Sequence, residues 1–433
     1  VVGGVLGWAR REEQGRVRSR ALVGACLVVA CHGGDKKRAS GRGSGGDPFE
    51  LVQSVVDAPG PSGDEIEPND TDDKATPLAL GATMRGKLDP DGDIDRFRIT
   101  VTAAGALSVS VSPVDADLML ELEDSNGAVL AKSDRGGVRT REGVPNFGVQ
   151  PGSYVAVVRE IKHKSKRAGS ADAKPAPVYE ITAQMAVAQP NAEHEPDEDR
   201  GTANELIVGD TGTGYIGWSN DVDVWKLSVE AIGAKDALDY ELSAVDGVAF
   251  DVELDDGIGS ALVHRKAARG APMIVRGVVP NVPAGAPQFE YVAIKATGSN
   301  PESPYSLRVS GHVVATDAEI EPDDTPDRAM AWPSDRTVVH GTWTPGDVDC
   351  YALAPGAARG IAASIEPSGD IALIAELLVD GNVVAASAGG GKGAAQKLSG
   401  NVPANGHAVV RIKGADERAT VEGTYDITVQ DGT

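Results

Sequence analysis

The chain has little cysteine, few aromatic residues and no long apolar run. Of its 433 residues three are cysteine, and aromatic side chains make up 4%. Cys26 and Cys31 lie together near the start, which leaves Cys350 alone in the body and excludes a disulfide framework there. Between Asp349 and Tyr351 it reads as a small buried hydrophobe. With so few aromatics, the cores must rest on Val, Ile, Leu and Ala. The apolar stretch Ala21–Ala30 is ten residues long, against the ~20 that a membrane-spanning helix needs. The seven histidines show no HExxH or other paired metal spacing, and no GxSxG element occurs. The loop Gly389-Gly-Gly-Lys392-Gly393 lacks the Ser or Thr of a phosphate loop. No catalytic constellation can be argued, so the chain reads as a non-enzyme. Basic residues number 41 against 64 acidic ones, a net charge of −23. Such a surface repels nucleic acid and favours cations, basic partners or simple solubility.

What the chain does have is one acidic signature repeated three times. Glu65-Ile-Glu67-Pro68-Asn69-Asp70-Thr71 is followed by Asp93-Ile-Asp95 and Phe97. Glu193-His-Glu195-Pro196-Asp197 is followed by Asp221-Val-Asp223 and Trp225. Glu319-Ile-Glu321-Pro322-Asp323-Asp324-Thr325 is followed by Asp347-Val-Asp349 and Tyr351. First Glu to last Asp spans 30 positions each time, and the copies start 128 and 126 residues apart. That period is too long for stacked solenoid turns. It reads as separate beads, each large enough for its own core.

After the second carboxylate pair each copy enters strands. Leu107–Ser112 alternates with period two, as a half-buried strand does. Leu118–Leu122, Ser125-Asn126-Gly127 and Ala128–Leu130 form a predicted hairpin. Leu373–Leu378, Asp380-Gly381-Asn382 and Val383-Val384 repeat it. Each copy closes with two further runs: Tyr154–Val158 and Tyr179–Gln184, Tyr291–Lys295 and Tyr305–Val309, Val409–Lys413 and Tyr425–Val429. The basic loop Lys162–Arg167 between the first such pair reads as a solvated hairpin tip. With 53 Gly, 26 Pro and no helical periodicity, the prediction is all-β: three tandem jelly-roll-like β-sandwiches over 60–188, 189–314 and 315–433.

The ExEPNDT opening, the later GDxDx-aromatic element and the closing GxY resemble bacterial pre-peptidase C-terminal domains over about 60–433. Copy two departs, with Asp197 at the Asn position and Glu198-Asp-Arg-Gly replacing Asp-Thr. The resemblance implies exported β-sandwiches appended to secreted peptidases, although no peptidase domain is present. The similar collagen-binding domains imply calcium at the acidic segment. The residues argue independently for the same ion. Ca²⁺ wants six to eight hard oxygens, and an extended segment would turn Glu65, Glu67 and Asn69 to one face. If Asp93 and Asp95 meet that face, the cluster repels itself without a cation. The candidate ligands are Glu65, Glu67, Asn69, Asp70, Asp93 and Asp95; Glu193, Glu195, Asp197, Asp221 and Asp223; and Glu319, Glu321, Asp323, Asp324, Asp347 and Asp349. The alternative for all of them is a solvated acidic linker. His194, between two of these, is expected to point away into solvent.

The N-terminus reads as an address. Arg16-Val-Arg18-Ser-Arg20 precedes the apolar run, and Leu27-Val-Val-Ala-Cys31 resembles a bacterial lipobox. The resemblance implies a signal over 1–31, lipidation at Cys31 and an anchor in the envelope, with His32 favouring the outer membrane. The alternative is a signal cleaved elsewhere, with Cys31 a bystander. Residues 32–59, rich in Gly and Ser, read as a disordered tether, with a short helix over Phe49–Val56. The expected function is a non-catalytic envelope lipoprotein that binds an unidentified protein or polysaccharide, or serves a structural role. Two rivals remain: an accessory of a separate secreted peptidase or polysaccharide-active enzyme, and an enzyme with an unrecognised site.

Overall fold

A computed structural model of the chain describes residues 62–162, 175–233, 235–281, 285, 288–415 and 422–432. Cys31, the tether, the helix over Phe49–Val56 and the tip of the basic loop lie outside the described residues. No helix among the described residues is long and apolar enough to cross a membrane.

The fold is nearly all strand, in six sheets that pair into three β-sandwiches. The first sandwich contains β1 (Gly63–Asp64), β2 (Thr76–Pro77), β3 (Thr83–Lys87), β4 (Ile94–Val101), β5 (Gly105–Val111), β6 (Leu118–Glu123), β7 (Val129–Ser133), β8 (Glu142–Val149), β9 (Gly152–Glu160) and β10 (Val178–Ala186). One sheet has the order β1-β3-β10-β5-β8 and the other β2-β4-β9-β6-β7. Only β6 and β7 form a hairpin, the one its Asn-Gly turn predicts. The two closing strands do not pair. β9 lies between β4 and β6, and β10 between β3 and β5 in the opposite sheet. These two strands are therefore not the arms of a hairpin.

The second and third sandwiches repeat this order with one strand fewer in one sheet. Alternation builds each core. Along β4 the inward residues are Asp95, Phe97, Ile99 and Val101, facing Leu107, Val109, Tyr179 and Ile181 of the other sheet. Cys350 is buried in a small outer cluster with Leu378 and Val409.

The three units are packed against one another, not strung as beads. Trp218 of the second sandwich is 8% exposed and belongs to the core of the first. The backbone of Glu195 pairs with Phe147 at the edge of the first sandwich, and Glu321 pairs with Val278 at the edge of the second. Gly148 N–H donates to the Glu195 carbonyl (2.7 Å), and Val279 N–H to the Glu321 carbonyl (2.9 Å). Both edges carry a bulge with a left-handed residue, Asn146 (φ 49°) and Gly277 (φ 68°). Sequence spacing is silent on such docking, because edge strands pair with whatever backbone fits them.

Candidate cation sites

The D-x-D element opens an inward-facing strand, so its second Asp sits on the core side. Asp95, Asp223 and Asp349 are fully buried for that reason, each two residues before the buried aromatic Phe97, Trp225 or Tyr351. The first Asp of each pair closes the preceding turn. Asp93 accepts from Asp89 N–H (2.7 Å), Asp221 from Gly217 N–H (2.6 Å) and Asp347 from Thr344 N–H (3.2 Å).

The Glu-Pro segment folds back over these strand ends through a cis peptide in all three copies. Its first Glu accepts a backbone N–H from the strand before the D-x-D: Lys87 (2.6 Å) for Glu65, Tyr215 (2.6 Å) for Glu193 and Thr342 (3.4 Å) for Glu319. Its second Glu accepts the N–H two residues on: Asn69 (2.9 Å), Asp197 (3.1 Å) and Asp323 (2.8 Å). One oxygen of the first Asp and of both Glu residues in each copy is thus spent on local backbone. The other is often left bare. Buried and without a donor are Asp95 Oδ1, Glu193 Oε1, Glu195 Oε1, Asp197 Oδ1, Asp221 Oδ1, both oxygens of Asp223, Glu319 Oε1, both oxygens of Asp323 and Asp349 Oδ1.

Oxygens from Glu65, Glu67 and Asp95 lie within 4.8 Å of one another. The same holds for Glu193, Glu195 and Asp223, for Glu319, Asp323 and Asp349, and for Glu321, Asp324 and Asp347. Two oxygens that share a Ca²⁺ at about 2.4 Å can be at most about 5 Å apart, so each trio fits one ion. Asp70 is exposed and outside its trio. Asn69 is fully buried and donates to Glu65 (3.1 Å). The first cluster is the most open, with Glu65 half-buried and Glu67 exposed, whereas the carboxylates of the second are fully enclosed. His194 is half-buried, and its backbone N–H is held by Asn204.

Bare buried carboxylates cannot stay charged at ordinary acidity. Burial, then the charges of Asp221 and Asp197, pushes Glu195 up to about 12. Burial followed by Asp349 and Glu319 does the same to Asp323, also to about 12. Burial raises Asp197 to about 8, against the hydrogen bond from Asn204, and Asp95 to about 8, against that from Tyr179. Glu193, Asp223, Glu319 and Asp349 are held well above the carboxylate range, again by burial first. Such clusters either carry protons or hold a cation.

Two sets of residues escaped the sequence reading. The closing tyrosines cross from the opposite sheet to the clusters. Tyr179 donates to Asp95 (2.5 Å) and Tyr425 to Asp349, while Tyr305 reaches Glu193 (3.4 Å). Only Tyr425 lies in a GxY element (Gly423-Thr424-Tyr425); Tyr179 and Tyr305 follow Pro177-Val178 and Ser303-Pro304, and the sequence reading saw them only as strand residues. The other is Arg265 of the second sandwich, buried among Glu321, Asp324 and Asp347 of the third. No motif marks it. One of the two departures ascribed to copy two is shared, since Asp323 occupies the Asn69 position as Asp197 does, whereas Asp324-Thr325 is kept in the third copy. In the second copy oxygens of Glu193, Glu195 and Asp223 meet, and among the described residues no basic side chain pairs with them.

No family model matches the chain, and no curated protein matches it. Among solved structures, part of the chain is similar to the pre-peptidase C-terminal domain of a collagenase from Bacillus anthracis. The identity is 17%, over 25% of this chain and 94% of that one, with a TM-score of 0.20. The N-terminal tandem of CBM22 domains of Xyn10C from Paenibacillus barcinonensis is similar at 12% identity, over 48% of this chain and 82% of that one, with a TM-score of 0.16.

Proposed function

We propose that the chain is a non-catalytic, exported binding or structural protein, tethered to the envelope through Cys31, whose β-sandwiches are clamped in line by Ca²⁺ at the acidic clusters. The observation that carries this is the set of buried, bare carboxylate oxygens where the second and third acidic segments dock on the preceding sandwich. A hard divalent ion satisfies such oxygens and supplies the missing charge. Glu193, Glu195 and Asp223 would hold it in the second copy, Glu319, Asp323 and Asp349 in the third, and Glu65, Glu67 and Asp95 in the first. Because the docked segment carries two of the ligands, an ion bound there stiffens the joint as well as the sandwich. The ligand of the array is a protein or polysaccharide still to be identified. Melting of the full chain in EDTA, in millimolar Ca²⁺ and in equal Mg²⁺ tests the reading. A rise specific to Ca²⁺ is expected; no rise, or an equal one with Mg²⁺, would reduce the clusters to a solubility feature.

A further inference from the structure

The second and third clusters differ in one respect that their motifs hide. In the third, six carboxylates divide into an inner trio, Glu319, Asp323 and Asp349, and an outer trio, Glu321, Asp324 and Asp347, each with oxygens within 4.8 Å. Arg265 fills the outer one. Its Nη2 contacts Glu321 and Asp347, and its Nη1 lies 2.9 Å from Asp324. The guanidinium is 3% exposed and comes from the edge strand Ala261–Lys266 of the preceding sandwich. The inner trio receives no such charge, and both Asp323 oxygens remain buried and bare.

The same position in the first sandwich is a serine. Arg265 pairs with Val252, which lies beside Ile294, the partner of Asp223. Ser133 pairs with Leu120, which lies beside Val158, the partner of Asp95. Ser133 is spent within its own sandwich, donating to Glu142 (2.6 Å) and accepting from Gly143 N–H (3.0 Å). Among the described residues no basic side chain pairs with the carboxylate cluster at the first–second joint, where Arg135 and Arg141 reach across instead to the Ser299 carbonyl (2.8 Å) and to Glu302 (2.8 Å), whereas Arg265 enters the cluster at the second–third joint.

We propose that Glu321, Asp324 and Asp347 form a latent second divalent-cation site, closed by Arg265 acting as an intramolecular substitute for the ion. A guanidinium suits this role because it stays charged when buried and presents several donors in a fixed fork. The carboxylates at the second–third joint are then partly neutralised without metal, and those at the first–second joint only with it. The proposal deepens the calcium reading above and rests on it.

The test uses the full chain and ⁴⁵Ca²⁺ equilibrium dialysis, with thermal melts in EDTA and in Ca²⁺. Arg265→Met is expected to bind one more Ca²⁺ than the unaltered chain and to gain more in melting temperature. If the unaltered chain binds Ca²⁺ and Arg265→Met binds the same number, the latent site is refuted and the calcium reading stands. If neither binds Ca²⁺, both fall. An ion bound by the variant alone supports the latent site and overturns the wider reading. Should Arg265→Met not fold, Asp324→Ala decides, because Asp324 is only half-buried. An unchanged Ca²⁺ count supports the proposal, and the loss of one ion would show the outer trio already holds metal and overturn it.

Discussion

Gly86 and Tyr179 are paired across β3 and β10, and the tyrosine ring lies flat over the glycine. A Cβ on Gly86 would stand 2.3 Å from Tyr179 Cζ. Gly214 and Tyr305, and Gly341 and Tyr425, repeat the relationship. The bare glycine lets the ring lie low enough for its hydroxyl to reach the acidic cluster. Gly86→Ala should cost about 1–3 kcal/mol by overpacking, and Tyr179→Phe about the same by stripping Asp95 of its donor. In urea denaturation, Gly86→Ala combined with Tyr179→Ala should cost less than the two changes summed. Strict additivity would mean the two residues do not constrain each other.

Asp223 should behave oppositely with and without metal. Without metal Asp223 must take up a proton to be buried, a cost that Asp223→Asn removes, so the variant should melt a few degrees higher in EDTA, on the order of 1 kcal/mol. It should also forfeit the Ca²⁺ gain of that site, about 2.7 kcal/mol at a hundredfold excess over Kd. Curves that fail to cross between the two buffers would argue against an ion at the second cluster.

Glu290 offers a pH test away from the clusters. It is 1% exposed, burial raises it to about 7, and Tyr240 O–H donates to it (2.8 Å). The unfolded chain releases this proton near the model-compound value of 4.5, the folded chain only near 7. Its contribution to stability therefore falls as pH rises through that window and is flat above it, a loss on the order of 3 kcal/mol. In saturating Ca²⁺, stability of the unaltered chain relative to Glu290→Gln should decline by that order between pH 4.5 and 7. A constant difference would show that Glu290 is ionised in the fold.

Trp218 ties the second sandwich to the first. Trp218→Ala should destabilise the first sandwich by about 3 kcal/mol, seen as earlier loss of its protease resistance. A 60–188 fragment, which lacks the indole, should melt below the same sandwich in the intact chain. Equal melting would mean the indole contributes nothing to that core.

Cys31→Ser should abolish lipid labelling and membrane fractionation of the expressed protein. Unchanged fractionation would remove the anchor from the account.

The triplication, most strands and the Asn-Gly hairpin were legible in the sequence because they are set by local spacing: 30 positions, period two, two turn residues. The same alternation buries Asp95, a consequence the sequence reading did not draw. The partners that complete the clusters were not legible. Arg265 and Glu321 are brought together by docking of one sandwich on another, and no local pattern encodes that. Tyr179 was visible as a strand residue, but its reach to Asp95 depends on β9 and β10 lying in different layers. The ranking of copy two as the most divergent weighed motif letters, whereas the fold weighs which oxygens are enclosed.

Arg265 in the second sandwich and Ser133 in the first also bear on assembly fidelity. Tandem homologous units are prone to capture the wrong neighbour while folding, and the backbone docking at Phe147 and Val278 is alike enough to permit it. The side chains differ in one respect. A third unit placed on the first would bring Glu321, Asp324 and Asp347 against Ser133 and forfeit their pairing with Arg265. A second unit placed on the second would still offer Arg265 carboxylates, with Glu198 in place of Asp324. The charge pairing at Arg265 thus favours the native place of the third unit.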